Sequence, residues 1–394
     1  MLVTKVSFHL PISKKAPVFS RYAFPPSCRH FTSTPTPRYP TSPASHFKGT
    51  KHFLTLRDFT PVQILHLIRR SLELKQQITA ERAGQALSPL AKGEIAPLAS
   101  KTLGMIFSKK STRTRVSAEA GWAYYGGSTM YLGKDDIQLS GGEALRDTSV
   151  VISSMVDCLL ARVGEHEEVE TLAQYSSVPV INALTAKYHP LQALADIMTL
   201  YELYLPDALS HKSSPSSTSL PLPLLPKLNI AWVGDGNNII HSLLVTLPRL
   251  GANVSVATPK GYDCAPDVVE YAEEHATGGD ERGEISFTRD PEVAVKDADV
   301  IVTDTWVSMG QEKEKAKRLA EFKGYQVTEA MAKGAKPDWK FMHCLPRKPE
   351  EVDDDVFYNP ERSVVFQEAE NRKYTVMAVY EMLMLWAKDA PVGK

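Results

Sequence analysis

Residues 102–115 read TLGMIFSKKSTRTR: a mainly apolar run, a short polar turn, then Ser111 and a pair of arginines opening a helical pattern. A short apolar run bounded by turn residues reads as a buried strand, and a helix that starts straight after it makes a βα step. The step recurs on either side of the chain's midpoint. Strands are expected at 128–132, 158–163 (CLLARV) and 178–182 (VPVIN), with helices at 113–125, 143–155, 166–175 and 190–204. A second series follows, with strands at 228–233 (LNIAWV), 253–257, 298–303 and 341–342 and a helix over 239–250. Such alternation predicts an α/β fold: two doubly wound lobes, each a mainly parallel sheet flanked by helices. Ahead of the first strand, Thr60 is an N-cap, Pro61 fits the first helical position and Gln63 completes a capping box before Ile64, Leu65, Ile68 and Leu72.

The 394 residues suit two domains with extensions. Overall charge is near balance, 45 Lys+Arg against 46 Asp+Glu. That argues against a protein gripping nucleic acid by bulk charge. No stretch reaches the 18 or so apolar residues of a membrane span, so no membrane partner is expected. Four cysteines without a C-x-x-C pair exclude a disulfide scaffold and a zinc-finger spacing. The balance is uneven along the chain: residues 1–57 hold nine Lys/Arg and no acid, leaving 36 basic against 46 acidic residues beyond. Residues 1–45, basic and rich in Ser, Thr and Pro, have the composition of a mitochondrial transit peptide, and the destination expected is the mitochondrial matrix. A disordered cytosolic tail is the alternative. Residues 205–227 (LPDALSHKSSPSSTSLPLPLLPK) break the βα rhythm and read as an inserted Ser/Pro-rich linker of poor core material. This divides the body into a first lobe over 46–204 and a second over 228–370, with a last helical pattern from 371 that packs on either lobe. The mixed charges of 311–321 read as a solvated helix face.

The chemistry-bearing residues sit at strand ends. At 111–115 (STRTR), free N–H groups at a helix start, hydroxyls and guanidiniums make an oxyanion site suited to phosphate, or else an N-cap with solvent-facing arginines. Residues 234–238 (GDGNN) resemble the opening of a dinucleotide fold. However, Ile239 stands where the third glycine belongs, and Thr258, Pro259 and Lys260 replace the acidic ribose partner. His189 precedes Pro190 at a strand-to-helix transition, with Gln192 two residues on. Asp304, Ser308, Met309 and Gly310 follow the strand 298–303; His343, Cys344, Leu345 and Arg347 follow 341–342. Each alone favours a structural role, and buried Cys is the commoner case for Cys344. Together they gather at carboxyl ends of parallel strands, where such folds bind ligands.

These residues taken together resemble the ornithine carbamoyltransferases, and the match runs over about residues 50–394. STRTR alone marks the wider carbamoyltransferase family; Asp304 with Ser308, Met309 and Gly310, and Cys344 after His343, mark the ornithine branch. The resemblance implies a carbamoyl-phosphate lobe and an ornithine lobe, with the C-terminal helix (371–394) returning to the first. It assigns phosphate to Ser111, Thr112, Arg113 and Thr114, and the carbamoyl group to Arg162, His189 and Gln192 with Arg372 assisting. Cys344 and Leu345 also belong to the carbamoyl-phosphate site. Asn238, Asp304, Ser308 and Met309 would grip ornithine. Gln138 matches a position donated to the neighbouring subunit, implying a homotrimer with shared active sites.

The reaction so implied is attack by the neutral δ-amine of L-ornithine on the carbamoyl carbon, giving L-citrulline and phosphate, with no cofactor or metal required. Arg113, Arg162, His189, Asp304 and Cys344 are its expected catalytic residues, Cys344 positioning the amine and not acting as nucleophile. Other readings remain: a carbamoyltransferase for another amine or amino acid, a nucleotide-dependent oxidoreductase built on the 234–238 loop, or a non-catalytic descendant binding arginine-pathway enzymes. A regulatory partner from that pathway is compatible with activity. The 205–227 segment is longer than the hinge expected of this family.

Overall fold

The computed structural model describes residues 44–86, 96–134, 143–209, 222–276, 282–307 and 312–387. The expected leader thus lies outside the described residues apart from its end, as do Gln138, Ser308 and Met309.

The first lobe is a four-stranded sheet of β1 (Thr102–Phe107), β2 (Ser128–Gly133), β3 (Cys158–Arg162) and β4 (Val180–Leu184). Its order is β2-β1-β3-β4, with every pairing parallel. Its helices are α1 (Pro61–Arg82), α2 (Thr112–Tyr124), α3 (Leu145–Ser153), α4 (His166–Tyr175) and α5 (Pro190–Tyr204). The capping box at Thr60 and Gln63 is formed in both directions. The second lobe holds β5 (Asn229–Val233), β6 (Asn253–Ala257), β7 (Ile285–Thr288), β8 (Val300–Thr303) and β9 (Lys340–His343). They run parallel in the order β7-β6-β5-β8-β9. Its helices are α6 (Asn238–Leu244), α7 (Pro266–Ala276), α8 (Pro291–Ala294), α9 (Lys315–Glu321) and α10 (Asp354–Phe357).

The order in each sheet reverses once, between β1 and β3 in the first lobe and between β5 and β8 in the second. A crevice opens at the carboxyl ends of strands at such a point. Ser111 and Arg162 lie at the first reversal; the 234–238 loop and Asp304 lie at the second.

The last helix, α11 (Val365–Glu381), begins six residues before the expected start and runs on as a π-helical turn, Met382–Trp386. It packs on α1, α2 and α5 of the first lobe. Arg70 pairs with Glu381 at 2.7 Å, and the Tyr380 hydroxyl donates to the Ala118 carbonyl. Gly121 permits this approach: a Cβ there would lie 2.9 Å from Met377 Cγ. One apolar cluster continues through both lobes, from Phe47 and Trp122 to Trp232 and Val256. A fully buried aliphatic or aromatic side chain contributes about 1.5–3 kcal/mol.

Three expectations need correction. Strand β7 was not anticipated, because its four residues are half-buried or exposed on a sheet edge and carry no continuous apolar run. The ends of the 205–227 segment are core material: Ala208, Leu222 and Leu225 are buried, and the Pro223 carbonyl accepts from Tyr201. The charged helix near 311–321 does expose 313–317, but Arg318 is buried against Asp235 at 2.8 Å and donates to the Trp306 carbonyl. Among the described residues, no helix is long and apolar enough to cross a membrane.

Candidate active site

Ser111 caps α2, its Oγ accepting from the Thr114 N–H at 3.3 Å and donating to Thr114 Oγ1 at 3.0 Å. Thr114 is buried while Arg113 is half-buried and Thr112 exposed, so the helix start offers side chains on both flanks. From α11, Arg372 reaches Thr114 Oγ1 at 3.3 Å and Gln192 Oε1 at 2.6 Å. Arg162 closes β3 directly across from Phe107.

Arg113, Arg162 and Arg372 feel one another's charge. Burial first, then the neighbouring guanidiniums, lowers Arg372 to about 10; burial, together with repulsion from Arg113, brings Arg162 to about 10. Both remain cations at neutral pH. The Nε atoms of Arg162 and Arg372 are buried without a partner. Three crowded guanidiniums with spare donors form a cradle for a compact anion.

His189 caps α5, and its N–H donates to Ser242 Oγ of α6 at 2.8 Å. Burial, and then Arg372, Arg162 and Arg113, hold its imidazole far below the usual range, so it is neutral, with Nδ1 unpartnered. Asn238 Nδ2 donates to the Thr185 carbonyl at 2.6 Å, another bond between the lobes. That amide nitrogen is committed to the first lobe.

The second lobe contributes Asp304, buried after β8. Asn237 Nδ2 holds its Oδ2 at 2.7 Å and the Cys344 thiol donates to Oδ1 at 2.9 Å. Burial, and then Asp304, push that thiol well above its ordinary range. His343 is fixed on both sides: Nε2 lies 3.2 Å from Glu351 Oε2, and Nδ1 accepts from the Leu345 N–H at 2.8 Å. Leu345 itself has φ +60°, an unfavourable left-handed conformation for a branched side chain, held by that bond. Ligand atoms of Asp304, His343 and Cys344 lie within 4.8 Å of one another. With both His343 nitrogens engaged, only Asp304 and Cys344 offer ready donors to a metal.

The structure therefore brings together Ser111, Arg113, Thr114, Arg162, His189, Gln192 and Arg372 on one side, and Asn238, Asp304, Cys344 and Leu345 on the other. Sequence reasoning missed Asp196 and Glu368, which hold Gln192, and Glu351, which holds His343, and it gave no separate role to Asn237, which holds Asp304. The spacing of Glu368 and Arg372, four apart on α11, was the available signal for one of them.

The carbamoyl-phosphate-binding domain described for aspartate/ornithine carbamoyltransferases matches residues 51–202, and their aspartate/ornithine-binding domain matches 226–383. The chain belongs to the aspartate/ornithine carbamoyltransferase family. Two curated relatives are mitochondrial ornithine carbamoyltransferases. The mitochondrial ornithine carbamoyltransferase of Coccidioides immitis is 49% identical over 349 residues, covering 88% of this chain and 96% of that one. Its counterpart in Schizosaccharomyces pombe is 47% identical over 338 residues, 86% of this chain and 95% of its own. The crystal structure of a Coccidioides immitis mitochondrial ornithine carbamoyltransferase aligns with a TM-score of 0.73 at 46% identity, covering 86% of this chain and 99% of that one. The ornithine carbamoyltransferase of Pyrococcus furiosus gives 0.73 at 41% identity, with 85% and 97% covered.

Proposed function

We propose that this chain transfers the carbamoyl group of carbamoyl phosphate to the δ-amino group of L-ornithine, releasing L-citrulline and phosphate. The observation that carries this is the convergence of the 111–115 helix start and the Asp304–Cys344 pair on one crevice in a chain whose halves match the two domains of the family.

Phosphate sits on Ser111, Thr112, Arg113, Thr114 and Arg372, where hydroxyls, helix N–H groups and guanidiniums match its oxygens. The carbamoyl carbonyl faces Arg162 and His189. As the amine attacks, charge builds on that oxygen in a tetrahedral transition state, and fixed donors in a dry site stabilise it. A neutral His189 donates one N–H without adding a further charge to the guanidinium cluster. Ornithine's α-amino and carboxylate ends are held by Asn238, Asp304, Ser308 and Met309. Its δ-ammonium, of pKa near 10, sheds one proton before attack; Asp304 and Cys344 orient it, and departing phosphate takes the second. The raised thiol supports a positioning role for Cys344, since the thiolate and not the thiol is the nucleophile.

Gln138 completes the neighbour's phosphate site in a homotrimer, which sedimentation of the full chain tests. The protein is mitochondrial, as the Coccidioides immitis and Schizosaccharomyces pombe relatives are named; the acid-free leader supports the matrix, and import into isolated organelles with protease protection checks it. The activity test offers carbamoyl phosphate with ornithine, aspartate and putrescine in parallel. Citrulline from ornithine is expected; product from another acceptor alone overturns the assignment.

A further inference from the structure

Behind the guanidinium cradle lies a buried polar cluster, two of whose members, Asp196 and Glu368, the reaction described above does not use. Gln192, Asp196 and Glu368 are each at most 2% exposed. Gln192 Nε2 lies 2.7 Å from Asp196 Oδ1 and 2.7 Å from Glu368 Oε1, and its Oε1 lies 2.6 Å from Arg372 Nη1. Glu368 Oε2 also accepts the His343 N–H of the second lobe at 2.9 Å. Burial pushes Asp196 up to about 7 and Glu368 well above the carboxylate range, so at neutral pH the pair retains at least one proton.

A carboxamide has two faces of opposite character, and which one meets a ligand decides what it recognises. Here the choice is forced. A guanidinium has donors and no acceptor, so Arg372 must meet the carbonyl oxygen. Both amide hydrogens are then directed backwards at the two carboxyls. The carbonyl oxygen, bonded to Arg372, keeps a second lone pair, and only an N–H or O–H donor can use it.

We propose that Asp196 and Glu368 are positioning residues that lock the Gln192 carboxamide with its oxygen toward the cleft, making it an acceptor that selects an acyl phosphate bearing an amino group over one bearing a methyl group. This rests on the carbamoyl-transfer reading. Without the two carboxyls only the Arg372 bond still holds the amide, and in the turned orientation its amino group meets the substrate's and repels it. The bond from Glu368 to the His343 N–H joins this selection to the strand end that carries Cys344 and Leu345. An unfilled polar partner is what makes such discrimination steep, since the wrong ligand leaves the second lone pair of a buried acceptor unused.

The test uses two stable phosphonates that differ only at this point, phosphonoacetamide with its amino group and acetonylphosphonate with a methyl in the same place, titrated calorimetrically into the full-length enzyme. The wild type is expected to prefer the amide by about ten-fold or more. Glu368→Met keeps volume and removes the acceptor; the preference is expected to fall to about two-fold or less. Glu368→Gln offers a carbonyl in the same place and should restore the wild-type ratio to within about two-fold. Equal weakening of both ligands in Glu368→Met, or no preference in the wild type, overturns the inference. Should Glu368→Met not fold, Asp196→Ala takes its place, with a loss of at least about three-fold in the ratio expected and an unchanged ratio overturning. A wild type that makes no citrulline instead defeats the functional reading itself, so the two failures are told apart.

Discussion

The Cys344 thiol donates to Asp304 Oδ1 across 2.9 Å, joining the end of β9 to the end of β8, while Asn237 holds the other carboxylate oxygen at 2.7 Å. The bond places sulfur as a donor, and burial beside a carboxylate opposes its ionisation.

Cys344→Ser keeps a donor at that place and should retain kcat to within about ten-fold, with the larger change in KM for ornithine. Cys344→Ala leaves Asp304 short of one partner and should do worse. Complete loss of turnover in a folded serine variant, measured by citrulline release, would restore a nucleophilic role.

Arg113→Ala should lower kcat by about 10²–10³, the scale of losing one transition-state donor. Inorganic phosphate should raise the melting temperature of the wild type by binding the folded form, and should do so much less in the variant. Without phosphate the variant should melt no lower than wild type, because Arg162 and Arg372 lose a repelling neighbour. Scanning fluorimetry across a phosphate series reads both effects.

Asp304→Asn should raise KM for ornithine by about ten-fold or more, the loss of a hydrogen-bonded charge. The phosphate-induced rise in melting temperature should match the wild type's. If that rise disappears, the division of labour between the lobes is wrong.

His241 fastens the lobes: its Nδ1 meets the Lys187 carbonyl at 3.0 Å and its Nε2 accepts the Ala265 N–H at 3.0 Å. Burial lowers its pKa to about 4. As pH falls below about 6.5 the unfolded chain takes up a proton that the native imidazole refuses until pH 4, so stability is full above 6.5 and declines toward 4. By pH 5 the loss reaches about 2 kcal/mol from this residue. His241→Gln should therefore show a shallower fall in urea midpoint between pH 7 and 5 than the wild type. Parallel lines would remove His241 from the acid response.

Much of the architecture was legible because parallel strands buried on both faces are written as apolar runs. The expected strand at 102–107 coincides with β1, and 253–257 with β6. Strand β7 lies on an edge where neither face demands such a run. Arg318 was misplaced for the same reason in reverse: its burial depends on Asp235, 83 residues away in sequence, and no local pattern records that pairing. The helix α11 starts six residues before the expected position, and the burial of Glu368 in its first turn depends on Gln192, a pairing that no local pattern records.

By itself the sequence determined the alternation of strands and helices, the two-lobed division, and the kinds of side chain at each strand end, since periodicity and capping are local properties of the chain. It also carried the family's motifs. Tertiary structure alone decided which of those side chains share a partner. The thiol of Cys344 is a donor because Asp304 comes within reach, and Gln192 turns its oxygen toward the cleft because Arg372, Asp196 and Glu368 converge on it from two helices. The direction of a hydrogen bond and the charge of a buried group depend on neighbours brought together by folding, up to 180 residues apart here, and only the folded packing supplies them.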